Sequence, residues 1–201
     1  MINFRKFIIE AKKSKTAVFA FDRMNPPTLG HSKLITKVMS VAKKVGGTPM
    51  VYPSKTEDKK SNPLSFRTKV KVLKDVFGKE VINTNTSIKT PFDVITSLND
   101  KYERVIFVVG SDRVDEFKRN MTKYVDKDLE NIKDFSVVSA GERDPDAEGV
   151  SGMSGSKMRE FVVKDRFGKF KEGLMTKNAA LAKLVFKEIA KKLKIKKENK
   201  Q

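Results

Sequence analysis

Apolar positions along the chain alternate between short unbroken runs and runs spaced three and four apart. Thr16 to Phe21, TAVFAF, is an apolar run ahead of a proline-rich turn and reads as a buried strand. From His31 to Val45 the residues Leu34, Ile35, Val38, Met39, Ala42 and Val45 mark one face of a helix, closed by Gly46-Gly47. Pro49 to Pro53 predicts a second strand. Leu64 to Phe77 predicts a helix with Phe66, Val70, Leu73 and Phe77 on one face, stopped at Gly78. Lys79 to Asn83 is a candidate third strand. Pro91 to Asp100 reads as a helix with proline in its first turn. Arg104 to Gly110, RVIFVVG, is the clearest strand, with the continuous apolar character of a sheet covered on both faces. Phe135 to Ala140 predicts the next strand, and Ser154 to Lys164 a helix. Alternation of this kind predicts an α/β fold: a parallel sheet with right-handed crossovers and helices on both faces.

The C-terminal stretch from Asn178 differs. Leu181, Leu184, Val185, Ile189 and Leu193 form an apolar stripe, and lysines crowd Lys187 to Lys200. It predicts a docked helix running into a basic, solvated tail. Charge extends that picture to the whole chain, with 43 Lys plus Arg against 25 Asp plus Glu, a net charge of +18. Such a field attracts polyanions, so nucleotides and non-specific contact with DNA are both expected partners, and a solvated lysine surface is the plain alternative. There is no cysteine, which excludes disulfides, thiolate metal sites and a cysteine nucleophile; a lone histidine makes a structural zinc site untenable. No apolar run approaches a membrane span, and MINFRKFIIE lacks the core of a secretory signal, so the expected location is cytoplasmic or inside a virus particle.

The single histidine, His31, lies in FDRMNPPTLGH, where a strand meets a turn and then a helix. In open α/β sheets ligands sit beyond the carboxyl ends of strands, and a helix start offers free N–H groups to phosphate. Thr28 and His31 can donate to phosphate oxygens there. Ser154, Gly155 and Ser156 open a later helix in the same manner, with Arg159 one turn on; an ordinary serine N-cap is the alternative reading.

NPPTLGH resembles the (H/T)xGH signature of the nucleotidyltransferase superfamily, which includes nicotinamide-mononucleotide, pantetheine-phosphate and glycerol-phosphate transferases. SGSKMRE, Ser154 to Glu160, resembles its second signature. NPLSFR, Asn62 to Arg67, is similar to the Asn-Pro-Phe segment of archaeal-type nicotinamide-mononucleotide adenylyltransferases, and GSDRVDEF to the Gly-x-Asp segment after a central strand. The resemblance spans about Thr16 to Lys164. It implies a Rossmann-like domain over residues 16–175, an N-terminal extension over 1–15 and a basic C-terminal helix and tail over 176–201.

The resemblance also implies a reaction. A phosphate-bearing acceptor attacks the α-phosphate of a nucleoside triphosphate, ATP before CTP, and pyrophosphate leaves. His31 and Thr28 would hold the α-phosphate, and Ser154, Gly155, Ser156 and Arg159 the β- and γ-phosphates, with Lys33 or Lys157 assisting. Asp22, Arg23, Met24 and Gly30 would line the same junction. Gly110 would admit the nucleotide against the backbone. Asp112 would bond its ribose or base, or cap a helix. Asn62 and Arg67 would meet the acceptor, and Mg2+ would bridge the triphosphate with few protein ligands. One departure stands out. Asp22 occupies a position where family members carry glycine, which puts a carboxylate beside a polyanion and weakens triphosphate binding unless a lysine or Mg2+ compensates.

The extreme N-terminus, ending Ile-x-Glu before Ala11, resembles the capsid-targeting peptides of internal head proteins in contractile-tailed phages. That resemblance implies a second role: a catalytically silent, DNA-associated head protein on the same fold.

Overall fold

The computed structural model describes residues 15–141 and 153–194. Four strands form one sheet: β1 (Thr16–Asp22), β2 (Thr48–Pro53), β3 (Arg104–Val109) and β4 (Asp134–Ser139). The order is β2-β1-β3-β4 and every ladder is parallel. Phe19 of β1 stands between Met50 of β2 and Phe107 of β3. The helices are α1 (Leu29–Val45), α2 (Phe66–Phe77), α3 (Pro91–Leu98), α4 (Val114–Asp128), α5 (Gly155–Val163), α6 (Phe167–Gly173) and α7 (Ala179–Lys192).

Period-two alternation splits the strand residues between two cores. Val18, Ala20, Val51, Ile106 and Val108 pack with α1, α2, α5, α6 and α7 on one face. Ala17, Phe19, Tyr52, Val105, Phe107 and Val109 pack with α3 and α4 on the other. Phe19 and Phe107 stack at 4.4 Å between ring centroids on that second face. Both faces are covered, which is why the central strands carry no polar alternation. The α/β, Rossmann-like expectation is borne out.

Three details differ from the sequence reading. Lys79 to Asn83 makes a single parallel bridge, Ile82 to Val51, and no strand. Only Val81 and Ile82 are buried there, and the ladder stops after the exchange of Val51 N–H with Val81 O and Asn83 N–H with Val51 O. The periodicity did not reveal α4, because it buries only Met121 and Val125 among many charged residues. In α7, Ala182, Val185 and Ile189 are buried but Leu184 is exposed. Phe186 takes up the packing instead, meeting Phe167 and Phe170 edge-on at 5.2 and 5.1 Å. The N-terminal ten residues and the last basic stretch, 195–201, lie outside the described residues.

Two carboxylates tie the N-terminal end of α2 to its surroundings. Glu188 of α7 accepts from Ser65 N–H at 2.7 Å and from the Thr68 hydroxyl at 2.6 Å, while Glu57 accepts from Phe66 N–H at 2.7 Å. Burial pushes the Glu188 carboxyl up, but the hydrogen bonds from Thr68 and Ser65 outweigh it and leave it below the usual range.

Candidate active site

The sheet order reverses between β1 and β3: the chain leaves β1 through α1 to β2 on one side, and β3 lies on the other. A crevice opens at such a switch point because the crossovers diverge there. A cavity of about 430 Å3 occupies it. Phe21, Asp22 and Arg23 from the end of β1 and Val108, Val109 and Gly110 from the end of β3 form its floor. Gly30, His31 and Lys33 close one side, and Asp112, Arg113 and Phe117 the other. Of the residues singled out in the sequence, the cavity brings together Asp22, Arg23, Gly30, His31, Gly110 and Asp112.

His31 is the third residue of α1, the position that carries Glu or Gln in a capping box. Its ring does that work here: Thr28 N–H donates to Nδ1 at 3.0 Å. An Nδ1 that accepts a backbone proton leaves the ring proton on Nε2 in the neutral form. Nε2 lies 3.9 Å from Asp22 Oδ2. The Thr28 hydroxyl sits 2.8 Å from the same Nδ1 and is fully buried, so Thr28 meets a ligand only through His31. Thr28 is further pinned by an isolated antiparallel bridge to Leu174. The Met24 side chain is fully buried in the core, at a residue with φ of 46°.

Gly110 ends β3, and a Cβ on it would meet Asp112 Oδ1 at 2.6 Å. Any larger residue there would have to displace the Asp112 carboxylate. Asp112 follows in a short 3-10 turn, exposed, with no side-chain cap bond in that turn.

The second motif reaches the first from behind. Ser154 caps α5, its hydroxyl accepting from Lys157 N–H at 3.1 Å. Arg159 Nη1 donates to Asn25 O at 2.7 Å and Nη2 to the Ser156 hydroxyl at 3.1 Å. Gly155 lies so close that a Cβ would sit 3.0 Å from Asn25 O. Burial, with Arg23 alongside, lowers the Arg159 guanidinium against the opposing pull of Asp58. Asp58 itself is held well below the usual carboxylate range by hydrogen bonds from Asn62 Nδ2, Ser61 N–H and Lys60 N–H. Asn62 is thus occupied in fixing its own loop, Arg67 is exposed on α2, and neither lines the cavity.

Two residues escaped the sequence reading. Asn25 clamps Leu64 from both sides, donating to Leu64 O and accepting from Leu64 N–H, each at 2.9 Å, while its own carbonyl receives Arg159. Its place inside the motif was the available signal. Lys69 is fully buried, its ammonium donating to Ser54 O at 2.6 Å. Burial lowers it to about 8, with the carboxylates of Asp22 and Glu57 pulling the other way. No local pattern marks one lysine among so many.

Sheet order, cavity position and the strand–turn–helix junction together define a Rossmann-like α/β fold. Among solved structures the chain is similar to one named "Putative Nicotinate-nucleotide Adenylyltransferase from Vibrio parahaemolyticus", at 13% identity and a TM-score of 0.53, over 85% of this chain and 97% of that one. The likeness is one of fold. No protein-family model and no curated protein sequence matches the chain.

Proposed function

We propose that the protein is a nucleotidyltransferase that moves a nucleoside monophosphate, AMP in the first instance, from a triphosphate to a phosphate-bearing small molecule such as nicotinamide mononucleotide. The observation that supports this best is the His31 ring, held by Thr28 with its Nε2 proton on the cavity side of α1. An acceptor phosphate oxygen attacks the α-phosphorus in line, the bond to the bridging oxygen breaks, and pyrophosphate leaves with its electron pair. The protein supplies position and charge, and no covalent intermediate is required. His31 donates to a non-bridging α-phosphate oxygen, the N–H groups opening α1 share that charge, and Arg23, Lys33 and Arg113 counter it along the cavity wall.

Ser154, which caps α5, and Gly155, Ser156 and Arg159 within it lie outside the cavity lining, with Arg159 held by Asn25 O and the Ser156 hydroxyl, and act on the outer phosphates only after movement towards the cavity. Asp112 takes the ribose side beyond Gly110. Asn62 and Arg67 act on the acceptor only after movement towards the cavity. Mg2+ would enter the site as part of the metal–triphosphate substrate, with few ligands from protein. There it would neutralise charge on the departing pyrophosphate.

The test is pyrophosphate release with Mg2+ and ATP or CTP across a panel of acceptors headed by nicotinamide mononucleotide. The expected result is release that requires one acceptor and falls by about 100-fold or more when His31 is replaced. A folded protein that releases none with any acceptor refutes catalysis. The silent, DNA-associated reading then becomes the one to pursue, through salt-dependent binding to DNA. No described helix is long and apolar enough to cross a membrane.

A further inference from the structure

Asp22 closes β1 and stands at the cavity wall with its side chain 36% exposed. One carboxylate oxygen accepts from Arg23 N–H at 2.5 Å. The other lies 3.9 Å from His31 Nε2, beyond hydrogen-bond reach, so a gap separates the carboxylate from the group that would grip a phosphate. Behind it the Lys69 ammonium is fully buried and committed to Ser54 O, and Ser54 N–H donates at 2.8 Å to the backbone carbonyl of Asp22. This cation cannot swing out to meet a ligand. It stays beneath the wall, held by Ser54 O.

A phosphate brought to His31 meets a carboxylate that lies 3.9 Å from the ring nitrogen gripping it, near enough for like charges to repel. Arg23, Lys33 and Arg113 attract the metal-free triphosphate, the more negative form, more strongly, so a preference for the metal-bound form has to come from elsewhere in the wall. A hard divalent cation against Asp22 supplies it, because it takes carboxylate and phosphate oxygens together and usually needs only one or two carboxylates from protein.

We infer that Asp22 makes nucleotide capture depend on a divalent metal, by lying against the cation that the triphosphate carries and rejecting the triphosphate that lacks it. The inference rests on the nucleotide reading of this cavity and adds a specificity-determining residue to it.

Equilibrium binding of α,β-methylene-ATP to the full chain tests it, in Mg2+ and in EDTA, for the unaltered protein and for Asp22→Asn, which keeps an acceptor for Arg23 N–H. The unaltered protein should lose about 30-fold in affinity without metal, and the variant about 3-fold or less, because its wall is neutral. With Mn2+ in place of Mg2+, the bound complex should broaden the ring signals of the single histidine in the unaltered protein, and less so in the variant. Equal affinity in Mg2+ and EDTA, or a ratio that Asp22→Asn leaves unchanged, overturns the inference while leaving the nucleotide site standing. Absence of binding under every condition by folded protein overturns the nucleotide reading and this inference with it.

Discussion

Replacing Lys69 by methionine should stabilise the protein at neutral pH and cease to do so in alkali. The ammonium is fully buried and lowered from 10.5 to about 8 by burial, against the opposing pull of Asp22 and Glu57. A fall of that size corresponds to about 3 kcal/mol for charging the amine in the fold rather than in the unfolded chain. Because the folded value is the lower one, the cost is fully present below pH 8. It disappears as pH rises towards 10.5, where the unfolded chain also loses its proton. Methionine fills a similar volume without the charge. It forfeits the hydrogen bond to Ser54 O, which offsets about 1 kcal/mol. The net gain near pH 7 is about 2 kcal/mol, or a rise in Tm of about 4–8 °C for a chain of this size. Thermal unfolding followed by circular dichroism near pH 7 and near pH 10.5 reads it directly. The other lysines titrate in both proteins and cancel in the difference. A variant less stable at neutral pH, or a gap that ignores pH, would refute the reasoning and make Lys69 a net anchor.

Other perturbations separate structural from chemical roles. His31→Gln keeps the capping-box residue type at the third position of α1, so its Tm should stay within about 2 °C of the parent while pyrophosphate release collapses; His31→Ala should lose both, the cap being worth about 1 kcal/mol. Asn25→Ala strips Leu64 of two buried partners and should cost about 2–4 kcal/mol by urea unfolding, with Asn25→Asp recovering only part. Glu188→Gln should lower stability by about 1 kcal/mol near neutral pH. That loss should vanish in acid, since a carboxylate held below its ordinary value stabilises only above it, and equal denaturation midpoints at neutral pH would exclude the contact.

Sequence patterning exposed those features that depend on near neighbours. β1 and β3 were legible because both faces of each are covered, and α1 because its apolar stripe is long and ends in glycine. The place of His31 followed from a strand end and turn residues, while Gly110 and Asp112 were singled out by the family resemblance. What escaped depends on distant partners. Lys69 lies on a helix whose visible stripe was Phe66, Val70, Leu73 and Phe77, yet the crevice behind β1 and β2 buries Thr68, Lys69 and Val72 as well. Asn62 and Arg67 belong to a recognisable segment, but a loop fixed by Asp58 uses the first and solvent surrounds the second. The thin apolar face of α4 hid it from any periodicity, and Lys79 to Asn83 buries only Val81 and Ile82 and meets β2 at a single bridge.

Asn25 has a consequence for the order in which the molecule acquires competence. Its side chain waits for Leu64, 39 positions later, and its carbonyl for Arg159, 134 positions later. Closing a loop of that length is among the slowest local acts in folding, because its entropy is spent before any contact repays it. A growing chain on the ribosome can form β1 and α1 early and add the Leu64 clamp next, but the turn between them lacks its Arg159 brace until α5 has been made and has docked. Unfinished or truncated chains then display the turn without its second brace, and Asn25 is held from both partners only on a molecule whose C-terminal third is already in place.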